Sequence, residues 1–300
     1  MNTSTDTTTL APIVRSVADL RRAVAELRAE GRTVAFVPTM GALHDGHVSL
    51  VERAGADGAA VVVSIFVNPT QFAANEDLSK YPRDEAGDVA KLTAAGAELV
   101  FCPAPGEVYP DGFCTTVTVD GPSQGLEGQI RPTHFAGVAT VVAKLLLMVR
   151  PDRVVFGQKD AQQVAVVRRV MRDLHLDDIE MIVAPTVREA DGLAMSSRNA
   201  YLSPAERQTA LALSRGLDAA ARAVARGERD ADAIQRVAHA ELAAEGGLTV
   251  DYVRLVDADT FQPMTSLDRD GVLCVAARVG HTRLIDNAPL SAGASRHTTA

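Results

Sequence analysis

The chain has 300 residues, of which 47% are hydrophobic and 23% charged, so it can bury a large core in one large domain or two. Its formal net charge of −8 and its pI near 5.4 argue against a protein that coats nucleic acid and favour a small substrate. The three cysteines are widely spaced and form no CxxC pair, which favours a reduced, cytoplasmic compartment. We expect neither a signal peptide nor a membrane span, since no charged and apolar leader or long apolar run is present.

Apolar runs alternate with amphipathic segments over the first two thirds of the chain. Such alternation builds βαβ units, so we expect an α/β protein with a doubly wound parallel, Rossmann-like sheet. The predicted helices cover, in chain order, about 17–30, 46 onward, 83–95, 135–149 and 161–175. The predicted strands cover 34–37, 61–67, 98–102, 153–156 and 179–183, with Pro38 ending the first of them and an edge hairpin at 115–119.

The composition changes near Ser203, where a capping box opens an Ala-rich helix that is expected to run to about residue 226. A second helix is predicted over 230–245, followed by strands over 250–256 and 272–279. We therefore assign residues 1–189 to a Rossmann-like domain with the binding sites, and 190–287 to a smaller α+β domain that acts as a lid. Residues 288–300, rich in Ser, Ala and Thr, are expected to form a flexible tail.

The most informative segment is VAFVPTMGALHDGHVSL at 34–50, in which a buried strand leads into a glycine-containing turn and a helix N-terminus. This order is typical of an anion site, because backbone amides and the positive end of the helix dipole point the same way. His44 and His47 would face the anion. The competing interpretation is that both are turn or core histidines. A metal pair is disfavoured, since the sequence offers no third ligand and no paired cysteines.

Polar, turn-rich segments also follow the other predicted strands. Because a doubly wound sheet binds ligands beyond the carboxyl ends of its strands, these segments are expected to line the pocket. They are NPTQF at 68–72, GQKD at 157–160 followed by Gln162 and Gln163, TVRE at 186–189 and MSSRN at 195–199. Lys159 follows a buried strand and a glycine, which favours a position in the pocket over a solvated charge. Ser196 and Ser197 either bind a ligand or only cap a helix.

The HDGH corner resembles the HIGH-type signature of the nucleotidyltransferase superfamily. The segments VPTMGALHDGH, SIFVNPTQF, RPTHFAGV, FGQKDAQQ and MSSRN, in this order, resemble the pantothenate synthetases, the pantoate:beta-alanine ligases, over residues 13–287. The resemblance implies an enzyme that uses ATP and Mg²⁺, in which the carboxylate of (R)-pantoate attacks the α-phosphorus of ATP and gives pantoyl adenylate and pyrophosphate. The amine of beta-alanine would then attack the activated carbon, giving pantothenate and AMP.

The resemblance also implies site residues. His44, His47, Lys159 and Arg198 are expected to be catalytic through contacts to phosphate oxygens, with His47 as the proton donor to the departing charge. Asp160 would accept from the ribose hydroxyls. The nucleoside would be framed by backbone groups near Phe156, Gly157 and Val187. The set expected to bind ATP is Met40, Gly41, Ala42, Leu43, His44, Asp45, Gly46, His47, Gly157, Gln158, Lys159, Asp160, Val187, Met195, Ser196, Ser197 and Arg198.

The other ligands have their own expected contacts. Those to pantoate come from Thr39, Met40, Gln71 and Gln163, and those to beta-alanine from Asn68, Gln71, Tyr81 and Arg198. Mg²⁺ is expected to bind mainly through the ATP phosphates, with Asp88 as a further candidate ligand, although a solvated surface carboxylate is the simpler interpretation. Segments 73–80 and 191–203 are expected to close as lids, and the resemblance implies a homodimer.

Three other functions fit parts of the pattern. A nucleotidyltransferase that adenylylates a phosphate such as phosphopantetheine would need more basic residues, and it has little use for NPTQF and Gln163. An aminoacyl-tRNA synthetase is disfavoured because the chain is acidic and leaves no room for an anticodon-binding domain. A non-catalytic nucleotide-binding or regulatory protein stays open, and it would bind ATP without releasing pyrophosphate.

Overall fold

The computed structural model describes residues 10–72, 78 and 81–293. The chain divides into two compact units. Unit 1 contains the described residues up to Val117 together with Ala136–Phe156 and Leu174–Ala184, and unit 2 contains Thr118–Phe135, Gly157–Asp173 and the described residues from Pro185 onward. The predicted single boundary at residue 190 does not coincide with these units, because two earlier segments pack with the C-terminal part of the chain.

Helices and strands alternate along most of the described chain. The helices are α1 Val17–Ala29, α2 Asp45–Gly55, α3 Glu85–Ala94, α4 Pro105–Val108, α5 Leu126–Ile130, α6 His134–Val149, α7 Ala161–Asp173, α8 Pro204–Ala210, α9 Ala212–Ala225 and α10 Ala231–Ala243. The strands are β1 Ile13–Val14, β2 Val34–Thr39, β3 Ala60–Ile65, β4 Leu99–Phe101, β5 Arg153–Gly157, β6 Glu180–Ala184, β7 Leu248–Asp257, β8 Gly271–Val279 and β9 Thr282–Leu290. Short 3-10 turns cover Pro69–Gln71, Gln158–Asp160 and Ser197–Tyr201.

One sheet organises unit 1. Its strand order is β1-β4-β3-β2-β5-β6, and the neighbours from β1 to β5 pair in parallel. The chain winds from β2 through β3 to β4 on one side and from β5 to β6 on the other, so the topological switch point lies between β2 and β5. Val37, Val63 and Val100 are fully buried in the core of this sheet. The prediction of a doubly wound parallel α/β sheet is confirmed.

The prediction that Pro38 ends the strand beginning at Val34 is wrong, because that strand, β2, continues to Thr39. The carbonyl of Val34 accepts the N–H of Asp152, which lies next to β5. Backbone polar groups along a strand point alternately to its two neighbours, so those of Phe36 and Pro38 also face the β5 side. The pairing of β2 with β5 stops at Phe36. A proline at the next such position therefore removes no hydrogen bond from the sheet.

Two other predictions of secondary structure are wrong. Segment 115–119 is not a hairpin strand, because the N–H of Val117 donates to Thr140 Oγ1 on α6 (2.9 Å) instead of to a neighbouring strand. The Ala-rich helix is divided into α8 and α9 at Leu211, whose N–H donates to the carbonyl of Gln208, three residues back, at 3.3 Å. This tighter turn interrupts the regular helix.

Unit 2 contains a three-stranded antiparallel sheet in the order β7-β8-β9, which gives the small C-terminal part its predicted α+β character. Leu255 and Leu273 are fully buried with Leu217 of α9 and Ile234 of α10. The sequence-based assignment missed β9 and placed the start of a tail at 288. That start is wrong, because Leu290 pairs with β8 and is buried in this core. Residues 294–300 lie outside the described part of the chain.

Helix α6 is strongly apolar, and its Val138, Leu145 and Leu146 are buried. It is therefore the core helix that its composition predicts. Among the residues that the structure describes, no helix combines the length and apolar character needed to cross a lipid bilayer.

Candidate active site

In unit 1, residues 40–43 form a turn between β2 and α2, at the carboxyl end of the central strand. His44 is the N-cap residue of α2 and has an extended backbone, and Asp45 opens the first turn of the helix. The positive end of the helix dipole therefore lies beside the two histidines of the HDGH segment. A helix N-terminus at the switch point of a parallel sheet has the local geometry of an anion site.

The two histidines contact each other. The backbone N–H of His44 donates to Nδ1 of His47 (3.3 Å), and the ring centroids are 4.1 Å apart with planes tilted by 42°. Because Nδ1 of His47 accepts, the neutral ring carries its proton on Nε2. His47 thus has an N–H donor on the edge of its ring away from the backbone of His44.

Asp88 of α3 holds the turn in place. It is 1% exposed, and its two carboxylate oxygens accept the backbone N–H groups of Ala42 (2.8 Å) and Leu43 (2.9 Å). Gly41 has φ +78°, and a Cβ there would lie 2.9 Å from Asp88 Oδ2, so this position requires glycine. The prediction of a solvated surface carboxylate is wrong for Asp88. With both oxygens held by amides, Asp88 is also poorly suited to the metal ligation considered for it.

The NPTQF segment forms a buried polar cluster in unit 1. Asn68 is 1% exposed, and its amide nitrogen donates to Gln71 Oε1 (3.1 Å) and to the carbonyl of Gly137 (3.2 Å). Its amide oxygen accepts from the Tyr109 hydroxyl (2.8 Å) and from Thr70 Oγ1 (3.0 Å). The side chain of Asn68 is therefore engaged at both ends, so we revise its predicted role from contacting beta-alanine to orienting Gln71.

Tyr109 is a member of this cluster that the sequence did not indicate. Burial raises the pKa of its hydroxyl, although the hydrogen bond with Thr70 (3.2 Å) opposes the shift, so the group stays a proton donor at neutral pH. The ring packs against Phe66 and Phe113, and Lys144 lies over the Phe113 ring at 4.3 Å. A single tyrosine in an irregular loop gave no periodic signal that would have singled it out.

Gly137 explains part of the RPTHFAGV segment. A Cβ at this position would lie 2.4 Å from the carbonyl oxygen of Thr70 and 2.7 Å from the backbone nitrogen of Gln71. Only glycine therefore allows α6 to approach the 3-10 turn at Pro69–Gln71 this closely. Gln71 is 9% exposed as a result.

Other residues predicted to bind substrates meet around Gln71 and Gly41. The amide nitrogen of Gln71 lies 2.8 Å from Met40 Sδ, and the Tyr81 hydroxyl lies 3.5 Å from the carbonyl oxygen of Gly41. Thr39 is buried, and its hydroxyl donates to the carbonyl of Ser64 (2.7 Å), which fixes the end of β2. Of the predicted lid at 73–80, only Leu78 lies within the described residues.

Unit 2 contains the other predicted group. Lys159, Ser196 and Arg198 line one small pocket, together with Arg283 and Asp286 of β9. The ammonium of Lys159 is 3.9 Å from the carboxylate of its exposed neighbour Asp160. Three cationic side chains thus border a pocket that also offers a serine hydroxyl. The sequence did not indicate Arg283 or Asp286, because β9 had not been identified as a strand.

The segment that leads to MSSRN is held by side chains. Ser196 accepts from the backbone N–H of Arg198 (3.3 Å) and caps the 3-10 turn Ser197–Tyr201. Capping is one of the two roles considered for this serine. Asn199 is buried and donates to Glu189 (2.6 Å) and to the carbonyl of Ala194 (3.1 Å). The backbone of Met195 bonds to that of Val187 at 3.0 Å. The predicted nucleoside and phosphate segments at 187 and 195–198 are therefore one connected loop structure.

The two adjacent glutamines of α7 differ in role. Gln162 is 5% exposed and bonds to the backbone of Pro122, Gln124, Gly125 and Glu127, so it fastens the segment before α5. Gln163 is only partly buried on the first turn of the helix. Gln162 is therefore structural, and the predicted contact of Gln163 with pantoate stays a prediction.

A metal ion has little support from side chains. Over residues 10–72, 78 and 81–293, no group of three His, Cys, Asp or Glu side chains is arranged to hold one. Asp88, the candidate ligand named above, is committed to two backbone amides. The described donor set therefore does not fit a Mg²⁺ site made by protein ligands.

The fold and these sites define the class. It is an α/β protein with a turn before a helix N-terminus at the switch point of a doubly wound sheet, and with a pocket bordered by three cationic side chains in its second unit. A sequence profile of one family, described as pantoate-beta-alanine ligase, matches residues 12–289. The chain belongs to the pantoate-beta-alanine ligase family.

Relatives and solved structures agree with this membership. The chain is 55% identical over 275 residues to the pantothenate synthetase of Rhizorhabdus wittichii, covering 92% of this chain and 97% of the relative. The crystal structure of pantothenate synthetase from Thermus thermophilus matches with a TM-score of 0.85 and 46% identity, covering 92% of this chain and 98% of that one. A Francisella tularensis pantoate-beta-alanine ligase, complexed with beta-gamma ATP and beta-alanine, matches with a TM-score of 0.71 and 30% identity over 93% of this chain and 97% of that one.

Proposed function

We propose that the chain condenses (R)-pantoate with beta-alanine at the expense of ATP and forms pantothenate, AMP and pyrophosphate through pantoyl adenylate. The observation that carries this proposal is the family match over residues 12–289, which spans both the anion-binding turn and the cationic pocket. The Francisella relative in complex with an ATP compound and beta-alanine supports the choice of two of the three substrates.

Each step balances without an external oxidant or reductant. A carboxylate oxygen of pantoate forms a bond to the α-phosphorus, and the bond from that phosphorus to the bridging oxygen of pyrophosphate breaks. The nitrogen of beta-alanine then bonds to the acyl carbon and loses a proton, and AMP leaves with the former carboxylate oxygen. Both reactants of the first step are anions, so the site has to stabilise charge that spreads over phosphoryl oxygens.

His44, His47, Lys159 and Arg198 would supply this stabilisation. The N–H at Nε2 of His47 suits it as the donor to the departing charge, because its Nδ1 is held by the backbone of His44. Lys159 and Arg198 border a common pocket in unit 2 and would contact the phosphates. The serine hydroxyls of Ser196 and Ser197 would assist, and Asp160 would accept from the ribose.

Gln71 and Gln163 would bind pantoate, whose hydroxyls both donate and accept hydrogen bonds. In this proposal Asn68 orients Gln71, since its side chain is bonded to Tyr109, Thr70 and Gly137. Thr39 and Met40 would complete the pantoate contacts, and Tyr81 and Arg198 those to beta-alanine. Segment 191–203 would close as a lid over the adenylate, excluding water that would hydrolyse it.

Mg²⁺ would enter with ATP through the phosphates, because the described side chains do not supply a site of their own. We further propose a cytoplasmic homodimer. The compartment is supported by three widely spaced free cysteines, and the dimer by the family resemblance alone.

The test is a comparison of acceptor substrates. Purified protein with ATP and Mg²⁺ is expected to release pyrophosphate when pantoate is added, and to form pantothenate and AMP only when beta-alanine follows. Release with phosphopantetheine instead of pantoate would establish the competing nucleotidyltransferase. Binding of ATP without release with either acceptor would establish a nucleotide-binding regulator.

A further inference from the structure

Strand β9 carries two adjacent polar residues in the core of unit 2. Asp286 is 3% exposed and Asn287 is 4% exposed, although Leu284 and Leu290 of the same strand belong to the apolar core. Polar groups buried at this depth are costly unless they are hydrogen-bonded, so their partners indicate what they are for. No motif from the sequence includes either residue.

Within the described part of the chain, the side-chain hydrogen bonds of Asn287 all go to the GQKD segment. Its amide nitrogen donates to the carbonyl oxygens of Gln158 (3.0 Å) and Lys159 (2.9 Å), and its amide oxygen accepts from Gln158 Nε2 (2.9 Å). These two carbonyls belong to the peptide groups on either side of the Lys159 Cα. Fixing both peptide groups fixes the backbone angles of Lys159, and therefore the direction in which its side chain leaves the chain.

Asp286 makes an equivalent connection to the second ligand segment. Arg188 donates to its two oxygens at 2.7 and 3.1 Å and to the carbonyl of Gly192 at 3.1 Å. The backbone N–H of Asn287 also donates to Asp286 (2.8 Å), so the Asp286 carboxylate is tied to the backbone of Asn287. One stretch of β9 therefore holds both segments that border the cationic pocket.

We propose that Asn287 is a positioning residue that aims the ammonium of Lys159 at the ATP phosphates. The proposal rests on the function proposed above, in which Lys159 contacts those phosphates. It assigns to the C-terminal strand a part in the adenylation step, and it separates Asn287 from residues that only stabilise unit 2.

The test is a double-mutant cycle between Asn287→Ala and Lys159→Ala, read as kcat/KM for ATP. Asn287→Ala is expected to lower this value about tenfold in the otherwise unchanged protein. In the Lys159→Ala background, the same change is expected to lower it by less than about twofold, because the side chain to be aimed is absent. The KM for pantoate is expected to stay within about twofold of the unchanged protein.

Two further variants keep the test decisive. Asn287→Asp retains the size and the acceptor for Gln158 but loses both donors. It is expected to lower kcat/KM for ATP about as much as Asn287→Ala, and it takes the place of Asn287→Ala in the cycle if that variant fails to fold. Gln235→Ala removes a comparable bond, to the N–H of Leu255 (3.1 Å), and is expected to leave kcat/KM for ATP unchanged.

The outcomes separate the two proposals. An equal loss from the Asn287 variants with and without Lys159 would overturn the positioning role, since a purely structural effect adds independently. A loss of kcat/KM for ATP in Gln235→Ala as large as in Asn287→Ala would also overturn it. Unchanged adenylation in Lys159→Ala alone would contradict the role of Lys159 in the proposed function.

Discussion

The turn in unit 1 and the cationic pocket in unit 2 are built in different ways. In the turn, the groups that would meet an anion come from one short stretch, residues 40–47, and Asp88 of α3 accepts from two of its backbone amides. In the pocket, Lys159 is held by Asn287, which is 128 residues away in the sequence. The 187–198 segment is held by Asp286, which is 98 residues away from its partner Arg188. The first site is local in sequence, and the second depends on a distant strand.

This difference predicts how each site responds to mutation. A helix N-terminus keeps its dipole and most of its amides when one side chain is changed, so loss of function should follow from the residue that acts chemically. A pocket lined by long, flexible cations depends on their support, because Lys and Arg have many rotamers. Changes to supporting residues should therefore act through the direction of a side chain in unit 2, and through the backbone amides of the turn in unit 1.

The largest effect is expected from the residues that contact the phosphates. His44→Ala and Lys159→Ala should each lower the rate of adenylation about 10²- to 10³-fold with the fold retained, because each removes a donor to charge that develops in the transition state. Single-turnover formation of pyrophosphate with ATP and pantoate measures this rate. His239→Ala, an exposed histidine of α10, is the control. Near-normal rates in both variants would remove these residues from the chemistry.

The next effect is expected at the support of the turn. Asp88→Asn keeps one acceptor but turns an amide group toward a backbone N–H, so the loss should be about 10- to 100-fold in kcat/KM for ATP. Asp84→Asn is the matched control, since Asp84 is an exposed carboxylate that caps the same helix by accepting from Gly87 (3.0 Å). Equal losses in the two variants would show that Asp88 acts through the stability of α3 instead of through the turn.

A change confined to stability is expected at Asp257. Burial raises the pKa of this carboxyl, but hydrogen bonds from Thr260, Arg269 and the N–H of Asp259 outweigh burial and hold it at about 2, below the ordinary value of 3.8. A depressed pKa stabilises the fold above pH 4, and this contribution is lost as the pH falls from about 4 through 2. Asp257→Asn should cost about 2 kcal/mol at neutral pH without lowering kcat/KM for ATP.

Denaturant unfolding of both proteins between pH 5 and pH 2 checks the sign. The difference between their free energies of unfolding should shrink as the pH is lowered. Parallel stability profiles would mean that the pKa of Asp257 is not depressed. A fall in kcat/KM for ATP in Asp257→Asn would mean that destabilising unit 2 is enough to change the position of Lys159.

The smallest effect is expected at Tyr109. Tyr109→Phe removes the donor to Asn68 (2.8 Å) and should raise the KM for pantoate about fivefold while the KM for ATP stays constant, because Gln71 loses part of its orientation. Tyr201→Phe, at a residue that is 70% exposed, is the control. An equal rise in both KM values would instead indicate a general loosening of unit 1.

Local signals in the sequence accounted for most of the secondary structure. Apolar periodicity, capping residues and glycine stops indicated α1, α2, α3, α6, α7 and α10 near their observed positions. The failures came from context that no local pattern contains. Pro38 lies inside a strand because its nitrogen faces a side of β2 where the pairing has ended, and β9 was missed because its polar pair interrupts an apolar run.

The same division applies to the candidate site. The HDGH turn could be identified because its parts are neighbours in sequence. The other segments were identified by their places after predicted strands, and the resemblance to a family supplied their ligand roles. Asn68 and Asp88 show what was missing. Asn68 was considered as a ligand contact from the family resemblance and Asp88 as a carboxylate ligand, whereas their exposure of 1% and their bonds to the protein make them supports. Whether a buried polar group faces a ligand or the protein depends on tertiary packing.

The central claim is that the acid is activated by transfer of AMP to its carboxylate. The most direct measurement uses pantoate labelled with ¹⁸O in the carboxylate, together with ATP, Mg²⁺ and beta-alanine, and determines the label in the products by mass spectrometry. The mechanism predicts one ¹⁸O atom in each AMP and one in each pantothenate. Label in inorganic phosphate with ADP as the product, or AMP without label, would contradict it.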